Sequence, residues 1–306
     1  MSGKNVTEVL AADAAGIARA ALCLESGGLV AVPTETVYGL AARADSPAAV
    51  AKIYAAKGRP DFNPLIVHVS GAEQAERYAV LTDPARDLMA RYWPGPLTLV
   101  LPRRADAMLA DAVTAGLPTV ALRAPAHSVM RALLEKVDFP LAAPSANRSG
   151  FISPTTAAHV LASLEGRIDM VLDGGPCAAG VESTIVALRA DGRIEELRPG
   201  PVLIEAQAPA SGAIEAPGQL ASHYAPGKPV RLDAQAAEAD EFLIGFGPVA
   251  GDVTLSATGD LAEAAARLYA CLHEGAKAVQ PRIAVAPVPN AGIGLAINDR
   301  LRRAAA

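Results

Sequence analysis

The sequence predicts an α/β protein with one large sheet domain over 1–206, a linker over 207–228 and a small α/β domain over 229–306. Three observations lead there. At 306 residues the chain exceeds the size at which a single hydrophobic core usually stops growing. Short apolar runs of strand length alternate with stretches of helical apolar spacing along most of the chain. From about 207 to 227 that periodicity gives way to Pro, Gly, Ala and Ser, the mark of a linker.

In chain order, 13–26 places Ile17, Ala20, Ala21 and Leu24 on one helical face, with Asp13 as cap and Gly27-Gly28 as stop. It feeds an apolar strand over 29–32, which Pro33 ends in a turn crowded with hydroxyls, a carboxylate and a phenol. Ser46 and Pro47 open a second helix, and the proline-flanked loop 57–64 then displays Lys57 and Arg59. The continuous apolar run 65–69 predicts a strand buried on both faces, with His68 its lone polar residue. Helices over 71–78 and 83–92, a rigid turn at Trp93-Pro94-Gly95-Pro96 and a strand over 97–101 follow, whereas 103–115 gives weak signals for helix and loop alike. A strand over 119–123 ends on Arg123, a helix over 126–137 turns Val129, Leu133 and Leu134 inward, and a strand over 141–143 breaks at Pro144. The polar loop 145–150 leads through Ser153-Pro154-Thr155 into a helix over 156–164, a junction with the chemistry of an anion-binding helix start. Strands over 168–172, 183–188 and 193–197 complete the large domain. Beyond the linker, strand 242–246, helix 261–274, strand 283–288 and helix 293–303 alternate, which predicts a small doubly wound sheet.

A hydrophobic fraction of 51% with 19% charged residues excludes a disordered chain. No apolar run approaches the roughly 20 residues of a membrane span, and the polar start, Met1 to Glu8, predicts no export. Cys23, Cys177 and Cys271 are odd in number and far apart, as expected in a reducing cytoplasm. A formal net charge of −5 argues against broad nucleic-acid binding but leaves room for a local basic groove.

Polar residues recur beside apolar strands: Thr34, Thr36, His68, Arg123, Ser145 and Asn147 after them, Ser183 and Thr184 at a strand start. Ligand crevices of open α/β sheets collect at strand ends, although each residue taken singly also suits a turn or cap. Lys57, Arg59, Arg123 and Arg198 can clamp phosphate, the arginines through bidentate forks and the lysine as a point charge; the alternative is four solvated cations. His68 reads either as a core histidine or as a catalytic group, and the remaining histidines lack zinc-ligand spacing. Asp45, Asp61 and Asp173 could help hold magnesium or simply face water. The Gly-x-x-x-x-Gly-Lys-[Ser/Thr] loop, the Gly-x-Gly-x-x-Gly turn and the nucleophile elbow are all missing. These residues describe an anion-binding α/β enzyme that uses nucleotide, without naming its reaction.

The motifs also carry a resemblance. Pro33-Thr34-Glu35-Thr36-Val37-Tyr38-Gly39-Leu40, Lys57-Gly58-Arg59-Pro60 with Asn63-Pro64-Leu65, Trp93-Pro94-Gly95-Pro96-Leu97-Thr98, Pro144-Ser145-Ala146-Asn147-x-Ser149-Gly150, and Ser183-Thr184 with Arg198-Pro199-Gly200 closely resemble the YrdC-type domain of L-threonylcarbamoyladenylate synthases. His223-Tyr224-Ala225-Pro226 resembles the interdomain linker of the family's two-domain form, whose C-terminal domain is small and Rossmann-like. The resemblance implies a large, twisted, open mixed sheet with flanking helices. It implies that L-threonine, bicarbonate and ATP give L-threonylcarbamoyl-AMP and pyrophosphate, the first step towards N6-threonylcarbamoyladenosine in tRNA.

Carried over by motif, Thr36, His68, Arg123, Ser145 and Ser183 are expected to contact L-threonine. Arg59, Asn63, Thr119, Asn147, Thr155, Arg198 and Tyr224 are expected to contact ATP, with Lys57 beside the phosphates and Lys57 and Arg59 carrying the chemistry. Mg2+ is expected to arrive with ATP, with no organic prosthetic group and no protein-held metal. Proteins that transfer the threonylcarbamoyl group to tRNA are the expected downstream partners, with a contact to tRNA itself as a further expectation. Two other classes share the domain: an RNA-binding module and a carbamoyl-transfer enzyme of the hydrogenase-maturation type, whose Cys-x-x-Cys fingers are missing here.

Overall fold

The computed structural model describes residues 6–209 and 214–306. The elements in chain order are β1 (Glu8–Ala11), α1 (Ala14–Glu25), β2 (Val30–Val32), β3 (Gly39–Arg43), α2 (Pro47–Lys57), β4 (Ile66–His68), α3 (Ala72–Ala75), α4 (Asp83–Tyr92), β5 (Leu97–Pro102), α5 (Asp111–Thr114), β6 (Thr119–Arg123), α6 (Ser128–Lys136), β7 (Leu141–Ala142), α7 (Ala157–Leu164), β8 (Met170–Asp173), β9 (Thr184–Leu188) and β10 (Ile194–Arg198). The C-terminal part adds β11 (Val230–Arg231), β12 (Glu241–Gly245), β13 (Val253–Thr254), α8 (Leu261–Lys277), β14 (Arg282–Val285) and α9 (Gly294–Ala304).

The first ten strands form one mixed sheet in the order β1-β8-β2-β3-β7-β4-β6-β5-β9-β10, and the last four form a parallel sheet in the order β11-β14-β12-β13. Side chains alternate across a strand, so each strand feeds two faces of the large sheet. One face, through Leu40, Ala42, Val67, Leu122, Leu99 and Val186, packs on Val50 and Ile53 of α2, Leu88 of α4, Val113 of α5 and Val160 of α7. On the other face, Val30, Val32, Ala41 and Leu141 are covered by α1 and α6. The same face of β4, β5, β6 and β9 shows Ile66, Val100, Ala121 and Ile185, which meet Ala216 of the linker instead of a helix. A helix-free half-face of a twisted sheet is therefore left for a ligand. The small domain closes beside it: its core of Ile244, Leu268, Tyr269, Ile283 and Ile297 continues into Val37, Ile152, Val181 and Tyr224.

Local chemistry explains the ends that matter. The Asp13 carboxylate accepts from Gly16 N, and Ser46 Oγ accepts from Ala49 N ahead of Pro47, so α1 and α2 start where the caps predict. Gly58 stops α2 in the left-handed region at φ 60°, and Arg59 N donates back to Tyr54 O, which turns the Arg59 side chain inward.

The structure departs from the sequence reading in its weakest elements. β1 is a four-residue edge strand that pairs only with β8, too short to show a period. The turn after β2 is a hairpin into β3, whose small residues, buried on both faces, hide any alternation. α3 spans four residues of the eight read as helix over 71–78, and 103–115 contains the short α5. β11 and β13 are two-residue strands without a periodic signal.

Candidate active site

His68 ends β4 in register with Arg123 at the end of β6, because the two strands are parallel. Counting by twos, Ile66 and His68, Ala121 and Arg123, Thr98 and Val100, and Ser183 and Ile185 fall on the uncovered half-face. His68, Arg123 and Ser183 thus stand at strand ends, as the sequence predicts, and on one face of the sheet. A cavity of about 50 Å³ lies there, walled by Thr34, Thr36, His68, Arg123, Ser145, Glu182, Ser183, Arg59 and Arg198, with Pro217, Gly218, His223 and Tyr224 of the linker closing it.

One corner suits a small zwitterion. Arg123 Nη1 donates to Thr36 Oγ1 at 3.0 Å, Nη2 to Glu35 Oε1 at 2.7 Å and Nε to Gly95 O at 3.3 Å. An arginine has five N–H donors, so two remain for a ligand carboxylate. Thr34 Oγ1 ties the turn together, bonded to Thr36 Oγ1 at 2.9 Å and donating to Val37 O at 2.6 Å. Burial, with Arg123 nearby, pushes the His68 imidazole down to about 3, so it is neutral and its Nδ1 is buried without a partner. Burial pushes the Glu35 carboxyl up, but Arg123 outweighs it and holds Glu35 below its usual value.

The opposite corner is cationic. Lys57, Arg59 and Arg198 are all buried, and among the described residues none of them makes an ion pair. Lys57 Nζ donates to Ser145 O and Asn147 O, each at 2.5 Å, and burial drives its pKa well below normal. Arg59 donates from Nε to Asn63 O and from Nη2 to Asn63 Oδ1 and Pro64 O, with the Tyr54 hydroxyl also close to its guanidinium. Arg198 donates to Ser183 O from Nε and Nη2, to Ser183 Oγ from Nη2, and to Pro217 O from Nη1. Ser183 Oγ also meets Thr98 Oγ1 at 2.8 Å.

The buried side-chain polar atoms without a partner among the described residues are Asn63 Nδ2, His68 Nδ1, Asn147 Oδ1 and His223 Nδ1, all on residues at or beside this cavity. Since buried polar groups are nearly always satisfied, two such orphans in the cavity wall, on His68 and His223, mark a site built to receive polar atoms. Tyr224 sits at φ 63°, its ring edge-on to His223 with centroids 4.1 Å apart. At Gly218, φ 84°, an added Cβ would come within 2.9 Å of Arg198 Cδ and 3.0 Å of Tyr224 Oη, so only glycine lets the linker approach this closely.

Five of the expected site residues do not line the cavity: Lys57 and Asn63 sit behind its wall, bonded to Ser145 O and to Arg59, and three more stand apart. Thr119 shares the face of Arg123 but begins β6, roughly 13 Å away at about 3.3 Å per residue. Thr155 is buried next to His159 at the approach to α7, and Asn147 donates its amide to Arg148 O and Phe151 O just behind Ser145; neither lines the cavity. Reasoning from the sequence passed over Glu182, which lies in the wall, and Arg300 of α9, which holds it. Arg300 falls three residues after Ile297 and four before Ala304, within the apolar stripe of its helix, and that position was a readable signal of a buried charge. Asp45 pairs with Arg43, Asp61 is exposed and Asp173 bonds Gly175 N; among the described residues no three acidic, His or Cys groups gather for a metal.

A sequence family described as Telomere recombination (Sua5/YciO/YrdC) matches residues 23–200, and one described as the C-terminal domain of threonylcarbamoyl-AMP synthase matches residues 188–306. The chain is 40% identical to the threonylcarbamoyl-AMP synthase of Bacillus subtilis, over 98% of this chain and 96% of that one. It is 37% identical to that of Pyrococcus abyssi, over 92% and 91%. The solved structure of P. abyssi Sua5 complexed with L-threonine superposes with a TM-score of 0.88 at 35% identity, covering 98% of this chain and 97% of that one. The two family models and the similarity to relatives along nearly the whole chain agree, and the chain belongs to the threonylcarbamoyl-AMP synthase family.

Proposed function

We propose that this enzyme converts L-threonine, bicarbonate and ATP into L-threonylcarbamoyl-AMP and pyrophosphate, the first step towards N6-threonylcarbamoyladenosine in tRNA. The observation that carries the reading is one cavity lined both by Arg123, Thr36 and His68 and by buried arginines, Arg59 and Arg198, that make no ion pair among the described residues. The family relationship names the reaction those two corners serve.

In this reading the free hydrogens of Arg123 pair with the threonine carboxylate, while Thr36, Ser145, Ser183 and neutral His68 read its amine and hydroxyl. The amine takes up the carboxyl carbon of bicarbonate with loss of water, giving a carbamate. A carbamate oxygen then bonds the α-phosphorus in line as the bond to the β-phosphate oxygen breaks and pyrophosphate leaves. Arg59 Nη1 and Arg198 stabilise the charge that develops on the phosphates, and Lys57 braces the loop of Ser145 and Asn147 that faces them. Asn63, Asn147, Tyr224, Thr119 and Thr155 complete the nucleotide side. No covalent enzyme nucleophile is required; positioning and electrostatics carry the rate.

Magnesium would enter on the phosphates of ATP, since the residues present form no cage for it. A cavity of about 50 Å³ is far below the few hundred that a nucleotide fills, so the linker wall of Pro217 to Tyr224 yields to admit ATP and then shields the labile adenylate from water. The cytoplasm is the proposed compartment, and among the described residues no helix is long and apolar enough to cross a membrane. Proteins that pass the threonylcarbamoyl group to tRNA take the product onward.

Pyrophosphate release from ATP and bicarbonate, measured with each amino acid in turn, tests the proposal. Stimulation by threonine well above serine and alanine is expected. Equal rates with all three refute it.

A further inference from the structure

We propose that the small C-terminal domain completes the catalytic site through Arg300, a positioning residue that clamps the segment carrying Ser183 to the segment carrying Arg198. The inference rests on the reaction proposed above and extends it to a domain none of whose residues lines the cavity.

Arg300 leaves α9 fully buried and reaches across the domain boundary. Its Nε donates to Glu182 Oε2 at 2.9 Å, and its Nη1 donates to Pro199 O and to Asp299 Oδ2, both at 2.8 Å. Glu182 directly precedes Ser183, and Pro199 directly follows Arg198. One planar guanidinium thus holds the outer side of the two segments whose inner sides are joined by Arg198 and Ser183. The segments pack so tightly that a Cβ at Gly200 would lie 2.3 Å from Thr184 N.

Tyr269 of α8 adds a second anchor, its hydroxyl 2.8 Å from Glu182 Oε2 and 3.0 Å from Oε1, and Ser153 Oγ donates to Oε1 at 2.6 Å. The Arg300 guanidinium carbon also lies 5.6 Å from the ring centroid of Tyr224 in the linker. A buried ion pair is weak evidence for stability, because apolar residues of similar volume often do as well. What they could not do is join a carboxylate and a carbonyl from two strand ends in fixed geometry, with that carboxylate in the cavity wall.

Arg300→Lys keeps the charge and loses the fork. Misfolding lowers the active fraction, and with it apparent kcat, while leaving KM alone; a misplaced Ser183–Arg198 pair raises KM. We expect KM for L-threonine to rise at least fivefold in Arg300→Lys and two- to threefold in Tyr269→Phe, which removes one hydroxyl and decides the matter if Arg300→Lys does not fold. Glu182→Gln combined with Arg300→Lys should be no worse than the worse single variant. Unchanged KM in the folded variants, or additive losses in the double variant, overturn the clamp. If the wild type releases no threonine-dependent pyrophosphate, the proposed reaction fails by itself, and hydrogen exchange then reads the clamp. Amides of 182–186 and 198–202 must exchange faster in Arg300→Lys or, should that variant not fold, in Tyr269→Phe, with those of α1 unchanged; equal rates overturn it.

Discussion

Arg59→Ala separates chemistry from folding. Three of the five N–H donors of Arg59 hold Asn63 and Pro64, and the Nη1 pair is the one proposed to meet the phosphates. Truncation deletes three hydrogen bonds, worth about 1.5 to 4.5 kcal/mol at ~0.5 to 1.5 each. It also removes a buried cation without a carboxylate partner. Burial pushes that guanidinium from its usual 12.5 down to about 10, a displacement worth roughly 3 kcal/mol of charge burial that the variant no longer bears. The two effects nearly cancel, so the thermal midpoint should move by only a few degrees. The transition state has no such compensation: losing one preorganised donor pair there costs about 2 to 4 kcal/mol, or roughly 30- to 1000-fold in kcat. Threonine-dependent pyrophosphate release beside a thermal melt reads both quantities. A midpoint lowered by about 10 °C or more, with activity falling only as the folded fraction does, would refute this reasoning and return Arg59 to a structural role.

Arg123→Lys retains a charge but cannot serve Thr36, Glu35, Gly95 and a carboxylate together, so KM for threonine should rise about tenfold or more with KM for ATP nearly unchanged; a parallel rise in both would count against the threonine corner. Tyr224→Ala should weaken ATP more than threonine in equilibrium titrations, and equal weakening argues against the linker as a lid over nucleotide. For pH, burial holds His68 and His223 at about 3, below the usual 6.5, so the unfolded chain takes up their protons first. Their neutral burial is then fully tolerated above pH 6.5, and stability falls as pH drops from 6.5 towards 3, approaching about 2.7 kcal/mol per pH unit for the two together. Denaturant midpoints at pH 7, 6 and 5 check the slope, which a flat profile would contradict.

The site was legible wherever chemistry is written locally. The polar residues after apolar runs, His68 and Arg123 among them, do meet in one cavity, and the Ser46-Pro47 start of α2 leads to the loop that carries Arg59. What stayed hidden depends on pairs distant in sequence. No local pattern says that the face of β4, β5, β6 and β9 lacks a helix, because that depends on which way α1 and α6 pack. Nor does a local pattern link Glu182 to Arg300, 118 residues later. Lys57 reads in sequence as a free cation, yet its ammonium is spent on two backbone carbonyls, a use invisible until 145–147 folds over it.

The arginines divide by partner, and the division matches the proposed chemistry. Arg123 and Arg300 are paired, with Glu35 and Glu182, and each keeps a fixed pose by its ion pair. Burial alone would push the Glu182 carboxyl up, but Arg300, Arg198 and its hydrogen bonds hold it at about 2, so the clamp stays charged throughout the physiological range. Arg59 and Arg198 donate only to neutral oxygens; Glu182 offsets part of the Arg198 charge from a distance, whereas no carboxylate offsets the desolvation of Arg59. A carboxylate bonded to Arg59 would ease folding and then compete with phosphate for the same hydrogens. Leaving Arg59 without one keeps its charge available to the proposed polyphosphate, and the stability given up there is held elsewhere, in the core the two domains share around Tyr224 and Tyr269.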